Sequence, residues 1–297
     1  MTAVRLLVTG GSGQVGAHVV RLAAREGYRV VAPKRADCDL ADAGALQAFL
    51  DSVDVEAIIN CAAYTAVDRA EAEPDLAHRV NAVAPQILAA HAAARHIPLL
   101  HVSTDYVFEG LKQSAYTEDD APAPQNVYGT SKWAGERAII ASGARYAILR
   151  TAWLQSAGGA NFINTMLRLA QTRDNVGVVD DQLGCPTAAE DVAEALLVVA
   201  EALMATHRAS SIWHFVNTGR ASWHDLAATV FAEAAQRGHK IPQLNRITSA
   251  EYPTPAKRPA NSELSTLKFQ SDFGYVPRHW RAAVGDVLAA RLGVAQS

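Results

Sequence analysis

An α/β fold, built on a doubly wound parallel sheet with a smaller C-terminal substrate lobe, is predicted by three features of the chain. Short, continuously apolar runs alternate with helical stretches through the first half. Such runs suit strands buried on both faces of a parallel sheet. A glycine-rich turn separates the first run from the first helix. After about residue 152 the rhythm changes to shorter strands and longer helical stretches. This places a core in residues 1–152 and the remaining sheet elements, interleaved with the lobe, in 153–297. In this architecture ligands bind beyond the C-terminal ends of the strands.

Taken in order, Arg5 to Thr9 reads as the first strand. Gln14 to Glu26 reads as a helix, with Val15, Val19 and Leu22 as its apolar stripe and Gly27 as its stop. Arg29 to Ala32 is a second strand, Ala41 to Leu50 a helix and Ala57 to Cys61 a third strand. The Ala-rich segment Asp75 to Arg95 reads as one long helix. Pro98 to Ser103 and Tyr146 to Arg150 are the fourth and fifth strands, on either side of a helix opening near Asn126. Beyond them come helices over Asn161 to Gln171, Ala188 to Ala205 and Trp223 to Gln236, and strands over Val176 to Val179 and Trp213 to Val216. A Pro-rich segment, Tyr252 to Pro259, precedes a closing helix near Arg278 to Leu292. No internal repeat or low-complexity linker interrupts the series.

Composition narrows the function classes. With 297 residues, 49% hydrophobic and 19% charged, the chain is an ordinary globular protein. A net charge of −3 argues against charge-driven nucleic-acid binding. No apolar run approaches the roughly 20 residues that span a bilayer, and the N-terminus lacks the pattern of a signal peptide. Cys38, Cys61 and Cys185 are far apart, without metal-type spacing, and read as buried free thiols of a cytoplasmic protein.

Thr9-Gly10-Gly11-Ser12-Gly13-Gln14-Val15-Gly16 lies between a strand and a helix. Glycines there let the backbone approach a pyrophosphate at the helix N-terminus, which predicts an NAD(P)-binding Rossmann fold. Gly10, Gly13, Gln14, Val15 and Gly16 would form the phosphate turn. At the end of the second strand Pro33-Lys34-Arg35 is basic, where an NAD-specific site carries an acid. Lys34 would suit the 2′-phosphate of NADPH, with Asp39 and Leu40 beside the adenine. The alternatives, a solvated basic loop and NADH, stay open.

Tyr128 and Lys132 are four apart on the Asn126 helix and share a face. An ammonium beside a phenol favours the phenolate and makes it a usable proton donor or acceptor. Eight Tyr and six Lys produce such a spacing by chance in roughly one chain in six, so the pair alone is weak. Ser103-Thr104-Asp105-Tyr106 ends the fourth strand, where the fold places chemistry.

Together, Thr104, Tyr128, Lys132, the glycine turn, the Asn60-Cys61-Ala62-Ala63 turn and Asn81 resemble the extended short-chain dehydrogenase/reductase superfamily. Asn60 to Glu71, Ser103 to Phe108, Asp181-Gln182-x-Gly184-x-Pro186-Thr187 and Arg258 to Gln270 resemble the dTDP-4-dehydrorhamnose reductase family within it. The resemblance spans residues 9 to 270. It implies reduction of the 4-keto group of dTDP-6-deoxy-L-lyxo-4-hexulose to dTDP-L-rhamnose by NADPH or NADH. Tyr128 would be the acid, Lys132 would lower its pKa and hold the nicotinamide ribose, and Thr104 would bond the sugar oxygen or tune Tyr128. Ala62, Ala63 and Tyr64 would line the cofactor. Asp105 and Tyr106 would meet the sugar, Trp153 the substrate and Arg258 the diphosphate. For Trp153 a core position, and for Arg258 a surface salt bridge, are the plain alternatives.

Relatives that dehydrate sugar nucleotides carry Thr-Asp-Glu where this chain has Thr104-Asp105-Tyr106, so elimination is not expected. Another sugar-nucleotide reductase, an epimerase, and a cofactor-holding regulatory subunit without turnover remain as rivals. His101 reads as a satisfied core histidine. Some family members hold Mg2+ at a dimer contact, with an acid at the Glu190 position plus two others. Here His18 stands at one of those places and Ala289-Ala290-Arg291-Leu292 lacks the other, so no metal is expected, while a homodimer is left open.

Overall fold

The structure, a computed structural model, describes residues 3–205 and 209–293; residues 1–2 and 294–297, at the ends of the two expected segments, and 206–208 lie outside the described residues. The first half forms β1 (Arg5–Thr9), α1 (Gln14–Arg25), β2 (Arg29–Val31), α2 (Ala43–Ser52), β3 (Ala57–Asn60), α3 (Val67–Ala70), α4 (Pro74–His78), α5 (Ala84–Arg95), β4 (Leu99–Thr104), α6 (Val127–Ala141) and β5 (Tyr146–Thr151). The second half adds β6 (Leu154–Gln155), α7 (Phe162–Thr172), β7 (Asn175–Val179), β8 (Leu183–Gly184), β9 (Thr187–Ala188) and α8 (Ala189–Ala205). It continues with β10 (Ser211–His214), β11 (Ala221–Ser222), α9 (Trp223–Gln236), β12 (Gln243–Ile247), α10 (Leu267–Phe273) and α11 (Trp280–Leu292).

Six parallel strands form the central sheet in the order β2-β1-β3-β4-β5-β10. Successive residues of each strand go to opposite faces. Leu6, Val8, Ile59, Leu100 and Leu149 pack with Val19 of α1 and Val192 and Leu196 of α8. Leu7, Ile58, Leu99 and Ile148 pack with Leu46, Leu50, Leu88 and Ile139 on the other side. Both faces are covered by helices, as continuous apolar strands require. The strand order reverses between β1 and β3, which opens a crevice at their C-terminal ends. A separate apolar cluster joins α7, α9 and α11 through Ile163, Met166, Leu226, Val230, Trp280 and Val284.

One expectation needs correction and two are sharpened. The single helix over Asp75 to Arg95 is broken: α4 gives way to a π-helical turn over Arg79–Val83 before α5. Pro85 has no N–H to close the usual bond to residue 81, so the turn widens there. The strand over 176–179 is present but lies outside the central sheet, paired in parallel with β12. The closing helix begins at Trp280 rather than Arg278, with His279 as its N-cap.

Candidate active site

The glycine turn after β1 is shaped by close approach. Gly10 has φ +71°, and a Cβ there would sit 2.7 Å from the Ala62 backbone. Only glycine combines that conformation with that contact. The turn after β3, with Ala62 and Ala63, is thereby pressed against the start of α1. Gly13 caps α1 without a side-chain hydrogen bond. The helix's first N–H groups therefore face the crevice unclaimed by a side chain, the arrangement that receives a phosphate. Gln14 Oε1 accepts hydrogen bonds from Ser156 Oγ (2.8 Å) and Asn161 Nδ2 (2.9 Å), tying the 156–161 loop across the turn. At the end of β2, Lys34 is exposed, while Arg35 is paired with Asp39 at 3.4 Å. Asp39 also accepts the Ala41 N–H at 3.0 Å and so is held in place beside Leu40.

Tyr128 and Lys132 come from the first turns of α6. Asn126 caps this helix, accepting the Gly129 N–H at 2.8 Å, and its amide nitrogen donates to the Lys257 carbonyl at 2.9 Å. A side chain at Gly129 would overlap the Tyr106 carbonyl, so glycine lets the helix press onto the 3-10 turn over Asp105–Val107. The rings of Tyr106 and Tyr128 meet edge to face at 5.4 Å. Thr104 Oγ1 donates to Asp105 Oδ1 at 2.9 Å and accepts the Tyr106 N–H at 3.2 Å. Thr104, Asp105, Tyr106 and Tyr128 thus converge at the C-terminal end of β4.

Burial dominates the electrostatics of Tyr128 and Lys132. Burial drives the Tyr128 phenol above its ordinary pKa, and Asp105 and Tyr106 add to that rise while the nearby Thr104 hydroxyl opposes it. Lys132 lies one turn further along the same helix. Its Nζ is turned to the Val102 carbonyl (2.7 Å) and to His101 Nε2 (3.1 Å), and burial lowers its pKa to about 8. Asp105 is pushed up to about 6 by burial, with hydrogen bonding from Thr104 pulling down. Four residues beyond Lys132, Glu136 forms a fully buried ion pair with Arg150 of β5, in contacts of 2.6 to 3.2 Å. That pair fixes α6 against the sheet.

The substrate-side residues divide. Tyr106, its phenol pushed up to about 12 by burial, accepts from Arg258 Nη1 at 3.0 Å. Arg258 also pairs with Asp68 at 2.6 Å, so it is engaged and not a free cation awaiting a diphosphate. Trp153 adopts φ +48° and stacks on Trp223 at 3.6 Å, which gives one ring face to packing. Asn81, in the π-helical turn, accepts the Tyr64 N–H (2.8 Å) and donates to the Tyr64 carbonyl (3.0 Å) and Ser131 Oγ (3.0 Å). It ties the Tyr64 turn to α6.

A sequence profile for the family described as the RmlD substrate binding domain matches residues 4–292. A dTDP-4-dehydrorhamnose reductase of Aggregatibacter actinomycetemcomitans is 42% identical over 289 residues, covering 96% of this chain and 98% of the relative. The chain belongs to the dTDP-4-dehydrorhamnose reductase family. One of Escherichia coli K12 is 38% identical over 288 residues, 95% of this chain and 96% of the relative. Among solved structures, the dTDP-4-dehydrorhamnose reductase of Clostridium acetobutylicum superposes with a TM-score of 0.89 at 33% identity, covering 96% of this chain and 98% of that one. That of Bacillus anthracis, in complex with NADP, gives 0.88 at 31%, covering 96% and 99%.

For a member of the dTDP-4-dehydrorhamnose reductase family, the metal question is answered by the donors present. Glu190 is engaged by the Arg21 guanidinium, and His18 Nδ1 lies 3.9 Å from its carboxylate. A guanidinium on the carboxylate and an imidazole in place of an acid do not fit a magnesium site. Among the described residues, Asp180, His224 and Asp225 lie close enough to share an ion. Their carboxylates are taken: Asp180 by Arg246 and Ser222, Asp225 by the Ser222 N–H. The residue that sequence reasoning undervalued is His101. It is a satisfied core histidine, but one of its partners is Lys132. Its signal was the register of β4, which no local pattern displays. No described helix is long and apolar enough to cross a membrane.

Proposed function

We propose that this chain reduces the 4-keto group of dTDP-6-deoxy-L-lyxo-4-hexulose to dTDP-L-rhamnose with NAD(P)H. The observation that carries the reading is the buried Tyr128 phenol, set against Thr104 and Asp105 at the C-terminal end of β4, on the same edge of the parallel sheet as the glycine turn after β1. Family membership supports it, since the relatives above are named for this reaction. The nicotinamide, when bound, supplies the hydride. Gly10, Gly13, Gln14, Val15 and Gly16 would hold its pyrophosphate; Ala62, Ala63 and Tyr64 would line the path between; Lys34, Asp39 and Leu40 would flank the adenosine end. The NADP complex of the Bacillus anthracis relative supports NADPH as the cofactor.

The chain's own part is proton delivery and placement. A phenol raised by burial stays protonated at neutral pH, which is the state an acid needs as negative charge develops on the sugar C4 oxygen. Thr104 would hydrogen-bond the same oxygen and hold Tyr128 in line. Lys132 would bind the nicotinamide ribose and stabilise the phenolate once the proton has left. Asp105 and Tyr106 would meet the sugar, and the lobe from residue 153 onward, with Trp153 and Arg258, would receive the rest of the dTDP-sugar. Arg258 would give up part of its Asp68 pair to a phosphate, whose oxygens suit the guanidinium fork. The buried thiols of Cys38 and Cys185 and the nucleotide-sugar substrate support a cytoplasmic location. A homodimer, if formed, would be bridged without a metal.

The test is NADPH oxidation on adding the 4-keto sugar, with the product identified. Tyr128→Phe should lower kcat by roughly 10²–10⁴-fold while NADPH still binds. Near-full activity in that variant removes Tyr128 as the acid, and NADPH binding without turnover in the native chain favours a regulatory subunit.

A further inference from the structure

Thr9, Asn60 and His101 are register neighbours across β1, β3 and β4, so their side chains form one row on the sheet. Thr9 Oγ1 donates to Asn60 Oδ1 at 2.6 Å, and the Ala62 N–H donates to the same oxygen at 3.1 Å. The backbone donor fixes which end of the amide is which, because turning Asn60 over would set its NH2 against the Ala62 N–H. Asn60 Nδ2 therefore faces His101 Nδ1, at 2.9 Å. An amide nitrogen only donates, so Nδ1 must accept. Burial holds His101 neutral, its pKa well below the ordinary value. A neutral imidazole carries one proton, and here it must sit on Nε2, 3.1 Å from Lys132 Nζ.

An ammonium has three donors and no acceptor, whereas a neutral amine offers a lone pair. The Nε2–H of His101 therefore opposes a charged Lys132 and bonds to an uncharged one, which still donates to the Val102 carbonyl. We propose that His101 is a positioning residue that sets the charge of Lys132: locked by Asn60 with its proton on Nε2, it donates to the lysine amine and makes the ammonium easier to deprotonate. The effect on activity rests on the reading of Tyr128 and Lys132 given above; the tautomer and the lysine titration do not.

The other groups facing Lys132 leave room for this. Cys61, just beyond β3, is a thiol pushed up to about 12 by burial and so uncharged at working pH. Glu136, one turn along α6, favours the ammonium, but its charge is offset by Arg150 from β5. Tyr128, one turn back, is a phenol held protonated by burial. Lys132 itself is lowered to about 8 by burial, and the facing Nε2–H works in the same direction.

The experiment uses the full chain with 15N-labelled histidine and, separately, 13C-labelled lysine. His101 is assigned by its loss in His101→Gln, and Lys132 by its loss in Lys132→Arg. Proton–nitrogen correlation should show His101 protonated on Nε2 and bare on Nδ1; a proton on Nδ1 overturns the proposal. The Lys132 carbon should titrate near pH 8. In Asn60→Asp the carboxylate accepts from Nδ1–H, Nε2 becomes an acceptor, and the Lys132 midpoint should rise by about one pH unit or more. His101→Gln, which adds no charge and offers Lys132 an oxygen, should move it the same way. A Lys132 midpoint that stays in place in His101→Gln overturns the proposal even if it rises in Asn60→Asp, where the new carboxylate favours the ammonium by charge alone. In the reductase assay the basic limb of kcat/KM should move with that midpoint; a uniform loss at every pH would mark His101 as merely structural. Absence of reductase turnover, with the tautomer and titration as stated, would count against the proposed function instead.

Discussion

The sheet and the C-terminal lobe are held together by different forces. In the sheet, alternate strand residues feed two apolar clusters, and each helix is fixed mainly by small aliphatic side chains. The lobe has only two-stranded pairings of its own, and beside the apolar cluster of Phe108, Tyr116, Cys185 and Leu264 it is tied to the sheet by polar contacts between residues far apart in sequence. Arg258 reaches Asp68 and Tyr106, the Ala256 N–H reaches Asp68 at 3.2 Å, and Asn126 holds the Lys257 carbonyl. The site lies on the seam. Tyr128, its proposed proton donor, belongs to the sheet side, and Arg258, proposed to meet the diphosphate, belongs to the lobe. Loss of apolar packing should thus cost stability, and loss of a seam contact should cost binding.

The largest effect should come from the buried ion pair that fixes α6 to the sheet. Glu136→Ala leaves Arg150 buried without its partner, which destabilises by about 3–5 kcal/mol. Denaturant unfolding measures it, and NADPH binding should fail in step with folding because α6 carries Lys132. Replacing both, as Glu136→Leu with Arg150→Met, should recover most of the loss, since a buried pair is often matched by apolar residues of similar volume. A double variant as unstable as the single would mean that the pair does more than neutralise charge. On the seam, Arg258→Ala should lower kcat/KM by roughly 10–100-fold through KM. Its melting temperature should fall by less than about 2 °C, because the Asp68 pair is partly exposed and solvent screens it. A large drop in melting temperature would erase the distinction between sheet and seam.

The same division decides what could be read from the sequence. The strands, the glycine turn, the Asn126 cap and the Tyr128–Lys132 spacing are encoded within a few residues of one another, and each lies close to where local pattern places it. The break in the 75–95 helix had a local signal too, Pro85, outweighed by the alanines around it. β12 was not legible: Gln243-Leu244-Asn245-Arg246-Ile247 is polar and largely exposed, and only its partner β7 makes it a strand. Asp68 gives no hint of Arg258, 190 residues away. The partners of the lysine were hidden for a related reason. Spacing on a helix set Lys132 beside Tyr128, but His101 and the Val102 carbonyl, from a strand 30 residues upstream, hold the amine.

The smallest effect should fall at the far edge of the sheet, where neither kind of force is strong. Lys34 is exposed on the loop after β2, and Arg35 is already drawn to Asp39 at 3.4 Å. An exposed ion pair contributes on the order of 1 kcal/mol or less. Lys34→Ala should therefore raise KM for NADPH by only about 3- to 5-fold, leave KM for NADH unchanged, and lose its effect at high salt. Asp39→Ala would free Arg35 and should move the preference the other way, toward NADPH, because a second guanidinium donor becomes available to a 2′-phosphate. Steady-state kinetics with both cofactors at two ionic strengths measure this. An equal change in KM for NADPH and NADH in Lys34→Ala would show that the loop senses the adenosine as a whole and not its 2′-phosphate, and the basic character of Lys34-Arg35 would then carry no cofactor preference.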